Sequence, residues 1–288
     1  MTQEYLNLIS GLSGITESPV KAIDGELLGW HSTISVTGEM AIGGGTSLDK
    51  NTARQIALAE TLERILVDKL KNSSEAEDFL ITKYNSSCGF AAGFENEPTS
   101  FRALAEGLER WAWSKWIDEK FSLPKVSSEA GAVTGLAKFY SSKFDSYQQF
   151  QKIFRVSVPG YGWQRFKLGI VICKKGGGVF PGSKVCMVNE DPWAHAFTEA
   201  WRHLNVFENF ERYPQAQQLP FQRLLHFGND GDSAIKQIPD PNVKSEWPDP
   251  KILLWKSYDT QVVGVFLWRC LMQEALGWQL GSVNRFVY

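Results

Sequence analysis

The chain has 288 residues, 43% of them apolar and 22% charged, enough to bury a substantial core. Its net charge of −2 excludes general electrostatic capture of nucleic acid or of an anionic membrane surface. No apolar run reaches bilayer length, and the opening Met1-Thr-Gln-Glu-Tyr has no signal-peptide pattern, so a cytoplasmic protein is expected.

Residues 24–42 read as strand, rich in β-branched residues, and Gly43-Gly44-Gly45 reads as a turn. A helix is expected from near Asp49, with Ile56, Leu58, Leu62, Ile65 and Leu66 as candidates for its apolar side. A strand-like stretch from Ile81 to Phe94 ends in a small-residue turn. Glu97-Pro98-Thr99-Ser100 opens a second helix, which carries Trp111, Trp113 and Trp116. These tryptophans read as core rather than as a peptide-binding wall. Residues 120–150 read as a connection with one short helix, followed by strand-like runs at 153–158, 166–173 and 184–188.

Asp191-Pro192 marks the start of a third helix, which carries Glu199. Residues 213–250 hold half of the chain's 12 prolines and read as a long irregular excursion. The run from Ile252 onward returns to strand and helix, with Arg269 and Glu274 as a solvated helix pair. Strands alternating with helices predict a layered α+β or α/β fold in one domain over 1–288. Cys88, Cys173, Cys186 and Cys270 form no CxxC pair and, with four scattered histidines, offer no zinc-ligand spacing. They read as buried thiols.

Repetition is the strongest local signal. Ala-Leu-Ala-Glu-Thr-Leu-Glu-Arg at 57–64 returns as Ala-Leu-Ala-Glu-Gly-Leu-Glu-Arg at 103–110, with a weaker echo, Ala-Phe-Thr-Glu-Ala-Trp-Arg-His, at 196–203. Glu60 and Glu63 share one helix face, with Arg64 one turn beyond Glu60; Glu106, Glu109 and Arg110 repeat the arrangement. One such helix alone is a solvated face with an i,i+4 pair worth a few tenths of a kcal/mol. Two near-identical copies point further, to carboxylates that hold a hard cation such as magnesium together with a phosphate. Arginines would meet the phosphate or balance the carboxylates. The Gly43–Thr46 turn could bring backbone N–H groups to an anion. No Walker-type loop is present.

These segments resemble the YcaO-like family. Ala41-Ile-Gly-Gly-Gly-Thr-Ser-Leu-Asp followed by Ala57-Leu-Ala-Glu60-Thr-Leu-Glu63-Arg64 looks like its glycine-rich segment and first Glu-x-x-Glu-Arg helix. Ser87-Cys-Gly-Phe-Ala-Ala-Gly with Ala103–Arg110 looks like the next block, and Gly182 through Asp191-Pro192 to Glu199-Ala like the third. Leu8-Ile-Ser-Gly-Leu-Ser-Gly-Ile is similar to the family's opening segment.

The resemblance implies an α+β fold of repeated helix-on-sheet units around a carboxylate-lined nucleotide cavity. It implies ATP- and Mg2+-dependent activation of a peptide or protein backbone amide, as in cyclodehydration or thioamidation. Glu60, Glu63 and Glu199 would hold magnesium, Arg64 and Arg212 would meet phosphate, and Gly45 and Thr46 would line the nucleotide. Glu106, Glu109 and Arg110 are assigned an architectural part. His203, four residues after Glu199, is a candidate proton carrier, since imidazole titrates near neutrality, with a surface helix pair as the alternative.

The resemblance further implies a peptide or protein substrate, a delivery partner protein and a homodimer; net charge and the lack of a long apolar run leave neither nucleic acid nor membrane as an expected partner. Three positions depart from the family pattern. Thr46 stands where lysine is usual, Ile56 where serine is usual, and His203 where glutamine is usual. They support an alternative, a degenerate relative that binds a peptide or partner protein without catalysis.

Overall fold

The computed structural model describes residues 12–36, 41–81, 83, 88–127, 133–212, 218–243, 245–275, 277 and 280–286. Residues 8–11 of the opening segment, 37–40 of the first predicted strand, Ser87 and residues 213–217 of the excursion lie outside them. Packing divides the chain into two compact units, residues 1–103 with 255–269 and residues 104–254 with 270–288.

Unit 1 opens with an antiparallel sheet of β1 (Leu12–Lys21), β2 (Leu27–Val36) and β3 (Ala41–Ser47), in that order. The glycine run therefore lies inside β3, where a turn was expected. Glycine is weak in strands, and the reason for it here is α1 (Lys50–Lys71), which lies directly on β3. A Cβ on Gly43 would fall against Ala57 O and Thr61 Oγ1, and one on Gly45 against Ala53 O. Helix α1 starts as predicted, with the Asp49 carboxylate accepting Thr52 N–H at 2.7 Å. Lys69 and Lys71 complement its C-terminal dipole. Leu58, Leu62 and Leu66 are buried, whereas Ile56 is exposed and lines an open cleft with Gln55, Phe94 and Arg102.

A second small sheet, in the order β4 (Phe90–Gly93), β9 (Phe266–Met272), β8 (Ile252–Tyr258), completes this core around Phe79, Phe90 and Leu267. Arg269, expected on a solvated helix, is buried in a strand. It sits on β9 with no exposure, donating to Phe79 O and Cys88 O, its guanidinium 4.6 Å from the Phe90 ring centroid. No helix follows Ile252 among the described residues.

Helix α2 (Asn96–Trp113) gives its first turns to unit 1 and the rest to unit 2, then continues as a π-helical turn, Ser114–Asp118. The three tryptophans are core, as expected. Trp111 meets Phe154 edge-on at 5.4 Å and Trp116 meets Phe150 at 5.1 Å. Those phenylalanines belong to β5 (Ser146–Val158), which with β6 (Gly162–Lys175) and β7 (Gly178–Met187) forms the long antiparallel sheet of unit 2. A short α3 (Gly135–Ser141) precedes β5, and α4 (Trp193–Glu208) packs on β7.

Residues 219–235, expected to be irregular, form two helices, α5 (Leu219–Asn229) and α6 (Gly231–Ile235). The prolines misled because Pro220 occupies the first turn of α5, where its missing N–H costs nothing. Among the described residues no helix is long and apolar enough to cross a membrane; Cys173, Cys186 and Cys270 are buried as expected, Cys88 is half-buried, and none of the four is in a disulfide.

The helix-on-glycine contact recurs in unit 2, where a Cβ on Gly182 would strike Ala196 O. Gly43→Ala and Gly182→Ala are each expected to lower stability by about 1–3 kcal/mol through forced separation of helix and strand. Urea unfolding of the two variants against the parent reads this directly.

Candidate active site on the edge of strand β7

Strand β7 is the edge of its sheet, so alternate residues present backbone groups with no strand partner. In the described structure four of these groups meet a side chain. Pro181 O accepts from His203 Nδ1 at 2.7 Å, and Ser183 N–H donates to Glu199 Oε2 at 2.5 Å. Val185 N–H donates to Glu109 Oε2 at 3.1 Å, and Met187 N–H to Glu190 Oε2 at 3.0 Å. Three successive edge amides are thus closed by three carboxylates. Strand β3, also an edge, follows the same rule, with Gly44 N–H donating to Glu60 Oε2 at 2.7 Å. The anion that the glycine segment was expected to attract is this chain's own Glu60.

The sequence echo now has a cause. Gly43, Gly44, Ala57 and Glu60 match Gly182, Ser183, Ala196 and Glu199 with equal spacing. In each set an alanine of the helix sits over a strand glycine, and a glutamate one turn on reaches the next strand amide.

On β7 the side chains converge. Ser183 Oγ accepts from Trp113 Nε1 at 3.0 Å and donates to Glu109 Oε1 at 2.9 Å; it also lies 3.4 Å from Glu199 Oε2. Glu109 is 4% exposed with both oxygens engaged. Burial, then the charges of Glu106 and Glu199, push its carboxyl up to about 7. Burial raises Glu199 as well, against the pull of Arg110 and of the Ser183 N–H. Arg110 reaches Glu106 at 3.5 Å. Glu199 Oε1 and Glu106 Oε1 accept no hydrogen bond among the described residues.

Burial is also the main influence on His203, whose imidazole falls to about 4 with help from the positive charges of Arg110 and Arg202. It is neutral at pH 7, with Nδ1–H donated to Pro181 O, so the titration near neutrality that motivated a proton-carrier role is absent.

Glu60 Oε1 accepts from Arg64 at 2.6 Å, and that arginine is exposed. Glu63 is half-buried on α1. Gly45 is buried under α1, and Thr46 Oγ1 lies 2.9 Å from His31 Nδ1. Arg212 is exposed in the short turn Phe210–Arg212 that follows α4. Sequence reasoning understated Glu109 and missed Ser183 and Trp113. The exact return of the Glu-x-x-Glu-Arg motif was the only signal for the first.

Among the described residues no three His, Cys, Asp or Glu side chains form a ready-made metal cage. The donor set still suits a hard cation. Oxygen ligands are what magnesium takes, and three mutually repelling carboxylates faced mainly by Arg110 leave negative charge that a divalent ion would offset.

No family profile matches the sequence, and no curated protein does. Solved structures match the fold. The structure of YcaO from Methanopyrus kandleri bound with AMPPCP and Mg2+ superposes with a TM-score of 0.61 at 11% identity, over 95% of this chain and 88% of that one. A heterocyclase in complex with substrate and cofactor gives 0.58, also at 11% identity, over 96% of this chain and 52% of that one. The chain has an α+β fold of the YcaO-like type.

The two buried groups impose opposite pH dependences. The Glu109 carboxyl, near 7 folded against about 4.3 unfolded, stabilises below the unfolded value and loses that contribution as pH rises to 7. His203, near 4 folded against about 6.5 unfolded, contributes above 6.5 and loses it as pH falls to 4. Each slope is at most about 1.4 kcal/mol per pH unit, and they oppose each other between the two unfolded values. Glu109→Gln, which can still accept Val185 N–H and donate to Ser183 Oγ, is expected to make stability rise more, or fall less, with pH than in the parent as pH goes up to about 7. It should also gain on the parent above that pH. Chemical denaturation at a series of pH values checks both signs.

Proposed function

We propose that this protein uses ATP and Mg2+ to activate the backbone amide of a peptide or protein. The observation that carries the reading is the carboxylate-closed edge of β7, with Glu106, Glu109 and Glu199 gathered around Arg110. It stands on a fold shared with a YcaO whose structure holds AMPPCP and Mg2+, and with a heterocyclase whose structure holds substrate and cofactor.

In unit 2, Glu199 offers magnesium its unbonded Oε1 while its other oxygen stays fixed to Ser183 N–H, and Glu106 is added as a second ligand. Arg212 is assigned to phosphate. In unit 1, Glu60 and Glu63 are assigned to magnesium and Arg64 to phosphate, with Gly45 and Thr46 beside the nucleotide. Glu60 would serve once Arg64 turns from it to phosphate, a small cost for an exposed i,i+4 pair. Bound Mg-ATP would supply the phosphoryl group that turns an amide oxygen into a leaving group. His203, neutral and fixed by Pro181 O, would hold its place beside Glu199 rather than carry a proton.

The choice among cyclodehydration, thioamidation and related outcomes depends on the nucleophile, and so on the substrate. A scaffold that had given up nucleotide would gain by shedding the repulsion among clustered carboxylates, and this chain keeps all three.

Calorimetric titration with a non-hydrolysable ATP analogue is expected to give binding only with Mg2+ present. Glu199→Gln, which keeps the acceptor for Ser183 N–H, should weaken it at least tenfold, about 1.4 kcal/mol. Absence of binding to the folded parent at millimolar nucleotide would transfer the assignment to the non-catalytic binding protein.

A further inference from the structure

The sheet of unit 2 has a second edge, and its closure stops halfway. Along β5, Val126 N–H donates to Gln149 O at 2.9 Å and Gln151 N–H to Pro124 O at 3.1 Å. Odd-numbered residues therefore turn their backbone groups outward, while even-numbered ones bond β6. Among the described residues no backbone bond continues this pairing past Gln151, so Ile153, Arg155 and Ser157 present an open strand edge.

The side chains over that stretch are unusual for solvent. Arg155 lies directly opposite Arg165 and Ser157 opposite Trp163, with Ile153 opposite Lys167. Odd pairs here are the non-hydrogen-bonded ones, in which side chains approach most closely. Like charges in that relation destabilise a sheet. Neither arginine has a carboxylate partner among the described residues; the Arg155 guanidinium lies 5.1 Å from the Trp163 ring centroid. Trp163 is 58% exposed, Tyr161 43% and Ile153 41%. A protected edge hides its donors or puts charge against them, as β7 does. This one couples open donors to apolar side chains and an unbalanced pair of arginines.

We propose that the Ile153–Ser157 edge of β5 binds an extended acidic peptide as an added strand. Its backbone bonds β5, its carboxylates meet Arg155 and Arg165, and apolar side chains cover Trp163 and Ile153. The open backbone edge favours peptide over single-stranded nucleic acid, which would use the arginines and Trp163 but has no ladder to offer. The inference goes beyond the nucleotide reading and does not rest on it, so the test omits nucleotide.

The probe is a short fluorescein-labelled peptide alternating Glu and Val, titrated with the full chain and read by polarisation. Saturable binding is expected, at least tenfold weaker for an Arg155→Glu, Arg165→Glu double variant and for a peptide with proline at its centre. Ile153→Pro gives a second control. Its N–H faces outward, so the variant keeps the β5–β6 ladder and loses only a donor to the added strand. No saturable binding, or equal binding by the double variant, overturns the proposal. So does full binding of the proline peptide, which would leave charge attraction without strand addition. Tighter binding of oligothymidylate at the same arginines overturns it as well.

Discussion

An edge strand carries a row of backbone groups that the sheet cannot pair, and a buried N–H left without an acceptor costs about as much as a lost hydrogen bond. This chain meets that constraint with carboxylates delivered from helices and a turn: Glu60 to β3, and Glu109, Glu199 and Glu190 to β7. Much else follows. For Glu60 and Glu199 to reach a strand amide, the helix must lie almost on the backbone, which is why Gly43, Gly45 and Gly182 stand beneath Ala53, Ala57 and Ala196. Gathering carboxylates under α2 and α4 in turn buries them, which with the added charge of Glu106 raises both Glu109 and Glu199. The arrangement that closes the sheet is the one that makes the site electrostatically expectant.

That double use explains which parts of the site could be read from the sequence. The three glutamate-bearing helices were legible as a repeat, and so was the start of α1 at Asp49, because caps and i,i+4 spacing are local properties. The meaning of the repeat was not local. Ala57 and Ala196 look like ordinary helix formers until strand glycines are found below them. Gly43-Gly44-Gly45 reads as a turn by propensity, yet tertiary contact with α1 makes it strand. Arg269 and residues 219–235 failed for the same kind of reason. A buried arginine satisfied by carbonyls from a distant loop, and a proline that opens a helix instead of breaking it, look from the sequence like their exposed and irregular counterparts.

His203 shows how residue type can mislead about chemistry. A histidine one turn after a candidate ligand invites a proton-transfer role, because its unperturbed titration falls near neutrality. Its environment decides otherwise. Burial and the charges of two arginines keep the ring neutral, against the opposing pull of the Pro181 carbonyl that Nδ1–H bonds. The Trp113–Ser183–Glu109 chain works in the opposite sense. Neither Trp nor Ser titrates, yet the indole donor occupies one side of the hydroxyl and leaves its proton for Glu109. The serine thereby sets which carboxylate is held most firmly. Glu199, bonded through one oxygen only, is left as the member of the cluster able to respond to a ligand.

The two edges of the unit 2 sheet are therefore chemically opposite. At β7 three successive outward amides are met from within the chain, and acidic side chains do it, at the cost of repulsion that a cation would relieve. At β5 the covering segment ends with Pro124 and Val126, and the groups beyond Gln151 stand beside Arg155 and Arg165, whose repulsion an anion would relieve. Each imbalance costs stability in the isolated chain, and each has a sign that names the class of ligand able to remove it. Residue types alone could not have separated these two places, because the net charge of −2 averages them away. The separation arises when the sheet sends its odd-numbered backbone groups outward on both of its outer strands.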